Sequence, residues 1–254
     1  MEPAALVDLD RHPFDDPEVL ARGRADLAAD GVTVLADFLR PEAVAAMVAE
    51  VDALAVHAHH SDVAGTPYLA LPDEACPEGH PRRSRTHSAL SALAYDQFPA
   101  DSPLRALYEW DGLMAFIGDL LERRPLFRYA DPLGALNVAV MGDGDELGWH
   151  FDMTDFVVSI ALQASTAGGE FEAATNLRSF EDENYEGVDA VLHDRDAERV
   201  TRYPMTPGTL MLFAGRHSLH RVTPVVGPTP RYVALLAYDT KMCIRDSNIA
   251  AEKS

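Results

Sequence analysis

Hydrophobic positions in the first half of the chain follow helical spacing. Residues 16–31 carry an N-cap candidate, Asp16, and end in glycine, and residues 41–60 place apolar side chains three and four positions apart. Residues 101–123 read as two short helices with polar caps. The segment VTVLADF between the first two helices predicts a short strand.

From about residue 125 the pattern changes to short apolar segments separated by Gly, Pro, Asp and Asn. The segments are PLFRYA, ALNVAVM, GWHFDM, FVVSIALQ, GEFEAAT, RVTRYPM, GTLMLFAG, HRVTPVV and RYVALLAYD. Many short strands with turn residues between them predict a β-sandwich or barrel. One helical segment, about residues 180–193, interrupts them. Residues 61–90 lack periodicity and predict a long loop.

Composition excludes several classes of function. A net charge of −20 argues against nucleic acid or anionic lipid as a partner, because both attract clustered basic residues. The two cysteines, Cys76 and Cys243, exclude a disulfide scaffold, and the N-terminus has neither a basic nor an apolar leader segment. We expect a cytoplasmic protein that acts on a small molecule and has no membrane segment. Nothing in the sequence indicates an oligomeric state.

The segment GWHFDM, residues 148–153, holds a candidate metal-binding pair. If it forms a strand, side chains alternate, so His150 and Asp152 point to one face and Trp149 to the other. Two histidines and one carboxylate on one face of a metal form the common site of non-haem iron enzymes. A third ligand is therefore required from elsewhere in the chain.

Three histidines follow that segment. His193 lies in the predicted helical insertion, where it is expected to be solvated, and His217 falls in a turn. His220 directly precedes the strand RVTPV, and Arg231 follows it by 11 residues at the start of the last apolar strand. Burying a guanidinium in such a strand is costly without an anion, so Arg231 suggests a carboxylate-bearing co-substrate.

This pattern of His150, Asp152, His220 and Arg231 resembles the Fe(II)/2-oxoglutarate-dependent oxygenases. More narrowly, DPLGALNVAVMGDGDELGWHFD, GGEFEAATNLRS, ENYEGV and GTLMLFAGRHSLHRVTPV resemble the carrier-independent amino-acid halogenases and their hydroxylase relatives. The resemblance implies an α+β fold with a double-stranded β-helix (jelly-roll, cupin-like) core. It also implies Fe(II) bound by the first three residues, 2-oxoglutarate bound through Arg231, and O2 as oxidant.

The resemblance also implies a division of the chain. Residues 1–124 would form an N-terminal helical region with a long loop that packs on the barrel. Residues 125–241 would form the jelly-roll catalytic core. The last residues, KMCIRDSNIAAEKS from Lys241 onward, do not continue the pattern of the last strand. Within them, MCIRDS back-translates to a sequence that resembles a sequencing adapter. We therefore expect residues 242–254 to be non-native.

Two departures from the family pattern matter. The halogenases that resemble this chain have Gly or Ala in place of the carboxylate, which leaves a coordination position for chloride. Asp152 fills that position here, which favours hydroxylation. Val233 stands where many of these oxygenases have a serine that also binds 2-oxoglutarate. Asn137 is our candidate for that missing contact.

Other polar clusters have competing interpretations. Arg83 and Arg85 lie in the predicted loop, which is either a solvated segment or a lid that binds an amino-acid carboxylate. Asp145 and Glu146 form a solvated acidic turn or receive the substrate ammonium group. The cluster at residues 57–60, which holds three histidines, is best explained as a solvated helix end.

The sequence thus predicts a dioxygenase that hydroxylates an unactivated C–H bond of a free amino acid, such as lysine or another polar or basic one. Two alternatives remain. One is a cupin-like protein that binds a metal or a small acid without turnover, and the other is a relative that halogenates its substrate. Arg231 in the last strand favours an oxygenase, because a jelly roll that only binds a metal does not need a buried cation to pair with a co-substrate carboxylate.

Overall fold

The computed structural model describes residues 2–241. The predicted non-native tail, residues 242–254, lies outside the described residues, as does Cys243. The helices are α1 (Pro17–Asp30), α2 (Pro41–Leu54), α3 (Pro103–Glu109), α4 (Asp111–Leu120), α5 (Pro132–Ala135) and α6 (Tyr185–Leu192). No helix within the described part of the chain is long and apolar enough to cross a bilayer.

Local sequence explains where these helices begin and end. The carboxylate of Asp16 accepts a hydrogen bond from the Glu18 amide at 2.8 Å, which satisfies one free N–H at the start of α1. Gly31 ends the same helix with φ at 69°, a left-handed conformation that glycine adopts without steric cost. Proline occupies the first turn of α1, α2, α3 and α5, where a missing N–H removes no helical bond.

Most of the strands build one curled antiparallel sheet. They are β1 (Val32–Leu35), β2 (His59–Gly65), β3 (Thr86–Ala94), β4 (Phe127–Arg128), β5 (Leu136–Met141), β6 (Glu146–His150), β7 (Val157–Gln163), β8 (Ala167–Gly168), β9 (Phe171–Ala174), β10 (Thr201–Tyr203), β11 (Leu210–Phe213), β12 (Leu219–Val222), β13 (Val225–Val226), β14 (Arg231–Leu236) and β15 (Tyr238–Asp239). The order in the large sheet is β1-β11-β7-β14-β5-β3-β6-β12-β9-β10, with β2 paired to β3. This is the predicted jelly roll.

Strand β3 joins the two layers of the curled sheet. Its Ser88 and Ala89 pair with β6, whereas Ser91–Ala94 pair with β5. Between the layers lies a cavity of about 320 Å³, lined by β5, β7, β11 and β14 on one side and by β6, β9 and β12 on the other. We call it the inner cavity.

The helices cover the outer face of one layer. In β7, Val158, Ile160 and Leu162 point into a large core shared with α1 to α4, whereas Val157 and Ser159 line the inner cavity. Strand alternation therefore divides each strand into a packing face and a cavity face. Nearly complete burial of the packing face fixes the register, because a shift by one residue would expose it.

The structure corrects the predicted loop over residues 61–90. Residues 59–65 and 86–94 form the β2–β3 ribbon, so the loop covers only residues 66–85. Strand β2 reads HHSDVAG and is mostly exposed, so it shows no apolar alternation by which the sequence could have revealed it. His59 and His60 begin this strand rather than ending a helix, since α2 stops at Leu54. Strands β1 to β3 precede residue 125 but belong to the main sheet.

A histidine with two carboxylate partners connects the ribbon to β6. His87 of β3 lies 2.9 Å from Asp62 of β2 through Nε2 and 2.8 Å from Glu146 of β6 through Nδ1. A neutral imidazole can donate only one hydrogen bond, so both contacts are made fully only by the protonated ring. The hydrogen bonds to Glu146 and to Asp62 raise the pKa of His87 above its ordinary value.

This raised pKa predicts a pH-dependent contribution to stability. Since the protonated form is favoured in the folded state, the contribution is complete below the unfolded-state pKa of about 6.5. It is lost as the pH rises through the higher folded-state pKa of His87. Urea unfolding should show wild type to be more stable than His87→Gln at pH 6 and the difference to shrink by pH 9. A difference that does not vary with pH would contradict this. His57→Gln, an exposed histidine, is the control.

Candidate metal centre

Three side chains from two strands and the segment after β6 converge at one end of the inner cavity. His150 Nε2 lies 3.6 Å from Asp152 Oδ1, and His220 Nε2 lies 3.4 Å from Asp152 Oδ2. The two imidazole centroids are 4.1 Å apart, because His150 and His220 are cross-strand partners in β6 and β12. The three donor atoms lie within 4.8 Å of one another, and no other such His, Cys, Asp or Glu group occurs among residues 2–241.

Backbone hydrogen bonds orient both imidazoles. His150 Nδ1 donates to the Gly148 carbonyl at 2.8 Å, and His220 Nδ1 donates to the Ser218 carbonyl at 2.9 Å. Because Nδ1 donates to a backbone carbonyl in each ring, Nε2 is the ring nitrogen that faces Asp152 and that could bind a metal. Burial lowers the pKa of His220 to about 4, so this ring is neutral at physiological pH.

Asp152 is the anionic member of the group. Burial alone would raise its pKa, but the electrostatic interactions with His220 and with His150 outweigh burial and lower it. Its Oδ2 atom is buried and has no hydrogen-bond partner within the described part of the protein. An ionised oxygen without a partner is expensive to bury, so its position indicates that a cation belongs beside it.

The donor set fits a divalent first-row metal. Two neutral imidazole nitrogens and one carboxylate on one side of a point match the facial arrangement of non-haem Fe(II) sites, which leaves further positions open. The structure thus brings together the three residues that the sequence predicted as ligands. It differs in one detail: β6 ends at His150, so Asp152 follows the strand and does not belong to it.

Arg231 lies on the wall of the same cavity, on β14. It is 6% exposed, and its closest polar contact is Met141 Sδ at 3.7 Å from Nη1. Among the described residues no carboxylate lies within ion-pair distance, and burial lowers its pKa to about 10. A buried guanidinium without an anion marks the place where a carboxylate ligand would be most stabilised.

A second cavity of about 340 Å³ approaches the metal centre from outside. It lies between the β2–β3 ribbon and the segment Thr66–Leu71, and its walls include Val63, Leu69 and the hydroxyls of Thr86 and Ser88. We call it the outer cavity. His150 lines both cavities, so the metal centre lies where they meet. The arrangement offers separate places for a co-substrate inside and a substrate outside.

The four predicted substrate residues do not lie at the centre. Arg83 pairs with Glu74 at 2.9 Å, and Arg85 is exposed and lines a separate pocket on the outer face of β6. The carboxylate of Glu146 binds His87 on that same side. Asp145 Oδ2 accepts a hydrogen bond from the Gly142 amide at 2.8 Å, so it stabilises a turn.

Asn137, the predicted helper of Arg231, also lies elsewhere. Its amide donates to the Leu133 carbonyl at 3.1 Å, and its cross-strand partner is Leu235, four residues along β14 from Arg231. Four residues of a strand span about 13 Å, so the two side chains cannot bind one carboxylate. Ser159 also lines the inner cavity, but its cross-strand partner on β14 is likewise Leu235, and its hydroxyl donates to the Met211 carbonyl at 3.5 Å.

The other two candidate histidines lie outside the centre. His217 contacts the ring of Phe180 at 4.6 Å in the turn before β12, as expected. His193 follows α6 and contacts Asp189 at 3.0 Å, half-exposed. The structure therefore leaves His220 as the third ligand.

Several solved structures share this fold. An oxidoreductase of the 2OG-Fe(II) oxygenase family from Burkholderia pseudomallei aligns with a TM-score of 0.55 and 15% identity over 87% of this chain and 91% of that one. EctD from S. alaskensis, solved with 2-oxoglutarate and 5-hydroxyectoine, aligns with a TM-score of 0.58 and 19% identity over 89% of this chain and 77% of that one. The alpha-ketoglutarate-dependent epimerase SnoN aligns with a TM-score of 0.60 and 16% identity over 88% of this chain and 83% of that one.

Fold and site together define a jelly-roll protein with a centre of two histidines and one carboxylate. The family model of Halogenase D matches residues 15–253, and the chain belongs to this family. The narrower resemblance seen in the sequence, to amino-acid halogenases and their relatives, is thereby confirmed.

Gly215 offers a way to disturb the carboxylate alone. Its backbone carbonyl accepts the Asp152 N–H at 3.1 Å, and a methyl group added at Gly215 would overlap Asp152 Oδ2. We expect Gly215→Ala to turn the Asp152 side chain away and to weaken Co(II) or Fe(II) binding about 10- to 100-fold. Titration calorimetry on the metal-free protein measures the change.

The matched control is Gly142→Ala, where the added methyl group would make only ordinary contacts, the nearest with Asp145 at 3.9 Å. Circular dichroism should show both variants folded. Wild-type metal affinity in folded Gly215→Ala protein would show that Asp152 is not a ligand.

Proposed function

We propose that this protein hydroxylates an unactivated C–H bond of a free amino acid, with Fe(II), 2-oxoglutarate and O2. One observation carries the proposal: Asp152 is retained in a Halogenase D family member and lies between His150 and His220 at the edge of a cavity that also holds Arg231. A ligand carboxylate at that position occupies the place that a halide needs, so oxygen transfer is favoured.

The residues of the inner cavity suit 2-oxoglutarate. The guanidinium of Arg231 would bind its distal carboxylate, which supplies the missing counter-ion in a site closed to water. Apolar walls from Met141, Val222 and Val233 would surround the methylene groups.

His150, Asp152 and His220 would hold the iron, which when bound supplies the redox chemistry of O2 activation. The protein residues orient the ligands and exclude water. Nδ1 bonds of both histidines fix their ring planes before any ligand arrives, so little reorganisation is needed. Phe171 and Phe213 contact His220 at centroid distances of 5.7 and 4.6 Å and exclude water from that side.

The outer cavity is the proposed substrate site. It ends at His150, and its hydroxyl groups from Thr66, Thr86 and Ser88 could orient a polar molecule beside aliphatic side chains. The proposed substrate is a free amino acid, such as lysine or another polar or basic one, on the ground that the sequence resembles amino-acid halogenases and their hydroxylase relatives. Arg83 and Arg85 lie in the loop of residues 66–85, whose first residues line this cavity, and we retain one of them as the partner of the substrate carboxylate.

Halogenation is the second candidate, because the family to which the chain belongs is named for it. It would require a halide to displace Asp152 or to bind beside it. The low pKa of Asp152 keeps the carboxylate ionised, and an anion next to a halide is repelled. This repulsion favours hydroxylation, and product masses separate the two candidates.

The decisive experiment is a mass-spectrometric screen. Metal-free protein is loaded with Fe(II) in the presence of ascorbate, 2-oxoglutarate, chloride and each standard amino acid plus ornithine. We expect one or a few amino acids to gain one oxygen and to stimulate succinate formation. Asp152→Ala should lose this product, since the metal loses its anionic ligand.

A chlorinated product from wild-type protein would favour the halogenase candidate. No 2-oxoglutarate consumption with any amino acid would overturn the amino-acid proposal. Hydroxylated product at the wild-type rate in Asp152→Ala would refute the ligand assignment. The same variant also tests whether the carboxylate alone decides between the two products.

Arg231→Met tests the co-substrate site separately. Methionine fills much of the buried volume but cannot bind a carboxylate, and hydrogen bonds to charged groups contribute about 1.5–3 kcal/mol. We therefore expect the KM for 2-oxoglutarate to rise about 10- to 100-fold, with iron binding unchanged. Arg221→Met, which removes an arginine paired with Glu172 on the outer face, is the control. An unchanged KM in Arg231→Met would exclude the proposed carboxylate contact.

A further inference from the structure

The two histidine ligands are held by strand pairing, but Asp152 is not. His150 and His220 are cross-strand partners, and each has a backbone hydrogen bond on Nδ1. Asp152 follows the end of β6, and its Oδ2 has no hydrogen-bond partner within residues 2–241. Its carboxylate position therefore depends on the two backbone segments that enclose it.

The first of these segments is Phe151, which lies between the two ligands of the HxD motif. Its ring is 1% exposed, and its amide donates to the Pro67 carbonyl at 2.8 Å. The second segment is the turn before β12, where the Gly215 carbonyl accepts the Asp152 amide hydrogen. A single side chain, Arg178, contacts both segments.

Arg178 comes from the insertion between β9 and α6. Its guanidinium lies 3.9 Å from the ring centroid of Phe151, within the range of a cation–π interaction. Its Nε donates to the Arg216 carbonyl at 2.7 Å, and its backbone amide donates to the His217 carbonyl at 3.2 Å. These three contacts join Phe151 to the turn that holds Asp152, with Arg178 between them.

The insertion also orients the guanidinium itself. Glu183 accepts a hydrogen bond from Nη1 at 2.9 Å, and the Arg178 side chain is only 14% exposed. The ring of Tyr68, from the segment that borders the outer cavity, lies 5.5 Å from the guanidinium carbon on another side. Such a shielded, planar contact is specific to arginine, since a lysine ammonium cannot stack and donate to two partners in one plane.

We propose that Arg178 is a positioning residue for the Asp152 carboxylate, and that the insertion at residues 175–184 serves to support the metal centre. This proposal rests on the assignment of Asp152 as a metal ligand. Arg178 does not reach the metal site, so it would act through Phe151 and the Gly215 turn. Loss of Arg178 would let the carboxylate move and would weaken metal binding in a folded protein.

Co(II) titration of the metal-free protein tests this, with visible absorption reporting the coordination geometry. Arg178→Met should weaken Co(II) binding about 10- to 100-fold, the range for groups that orient a ligand, and should alter the absorption bands. Arg178→Lys, which keeps the charge and one donor, should lie between Arg178→Met and wild type. Arg195→Met is the matched control, because Arg195 is an exposed arginine that pairs with Asp189 of α6, outside residues 175–184.

A Co(II) affinity and spectrum equal to the control in Arg178→Met would overturn the proposal, even if the melting temperature falls. If that variant does not fold, Glu183→Gln removes the anion that orients the guanidinium, and a weaker effect in the same direction is expected. Co(II) binding by Glu183→Gln equal to that of the control would also overturn the proposal. Asp152→Ala separates the two proposals: unchanged Co(II) binding in that variant would remove the metal-site assignment itself.

Discussion

A carboxylate buried between two imidazoles is the interaction on which the rest of this structure depends. Asp152 Oδ2 is buried and has no hydrogen-bond partner among the described residues, so a cation beside it would be strongly stabilised. The Nε2 atom of each imidazole faces it, because Nδ1 of each ring donates to a backbone carbonyl. The jelly roll supplies this geometry because it closes two sheet layers over one cavity and brings β6 beside β12.

The same cavity holds the opposite charge at another point of its wall. Arg231 and Asp152 are both buried, but neither neutralises the other through a direct contact. A dicarboxylate that also binds a metal would join the two. The fold alone does not define the reaction, since an epimerase and an oxygenase share this fold. The ligand set distinguishes the chemistry, and here the retained aspartate favours oxygen transfer within a family named for halogenation.

Much of this could be predicted from the sequence, and the limits have physical causes. Strand alternation and spacing identified His150, Asp152, His220 and Arg231, because burying charge in apolar strands is rare enough to be informative. Strand β2 was missed since it is exposed and polar on both faces. Asn137 was placed wrongly because a sequence shows which face a strand residue occupies but not how far along the cavity it lies. Arg178 was missed because its partners, Phe151 and the Arg216 carbonyl, are distant in sequence and carry no charge.

The burial of Arg231 has a thermodynamic consequence for the protein as a whole. A guanidinium enclosed without an anion makes the ligand-free fold less favourable than it would be with an apolar residue there. Any dicarboxylate that binds only the native state repays this cost and shifts the folding equilibrium by mass action. Unfolding and proteolysis of the chain are then expected to slow as the concentration of such a dicarboxylate rises.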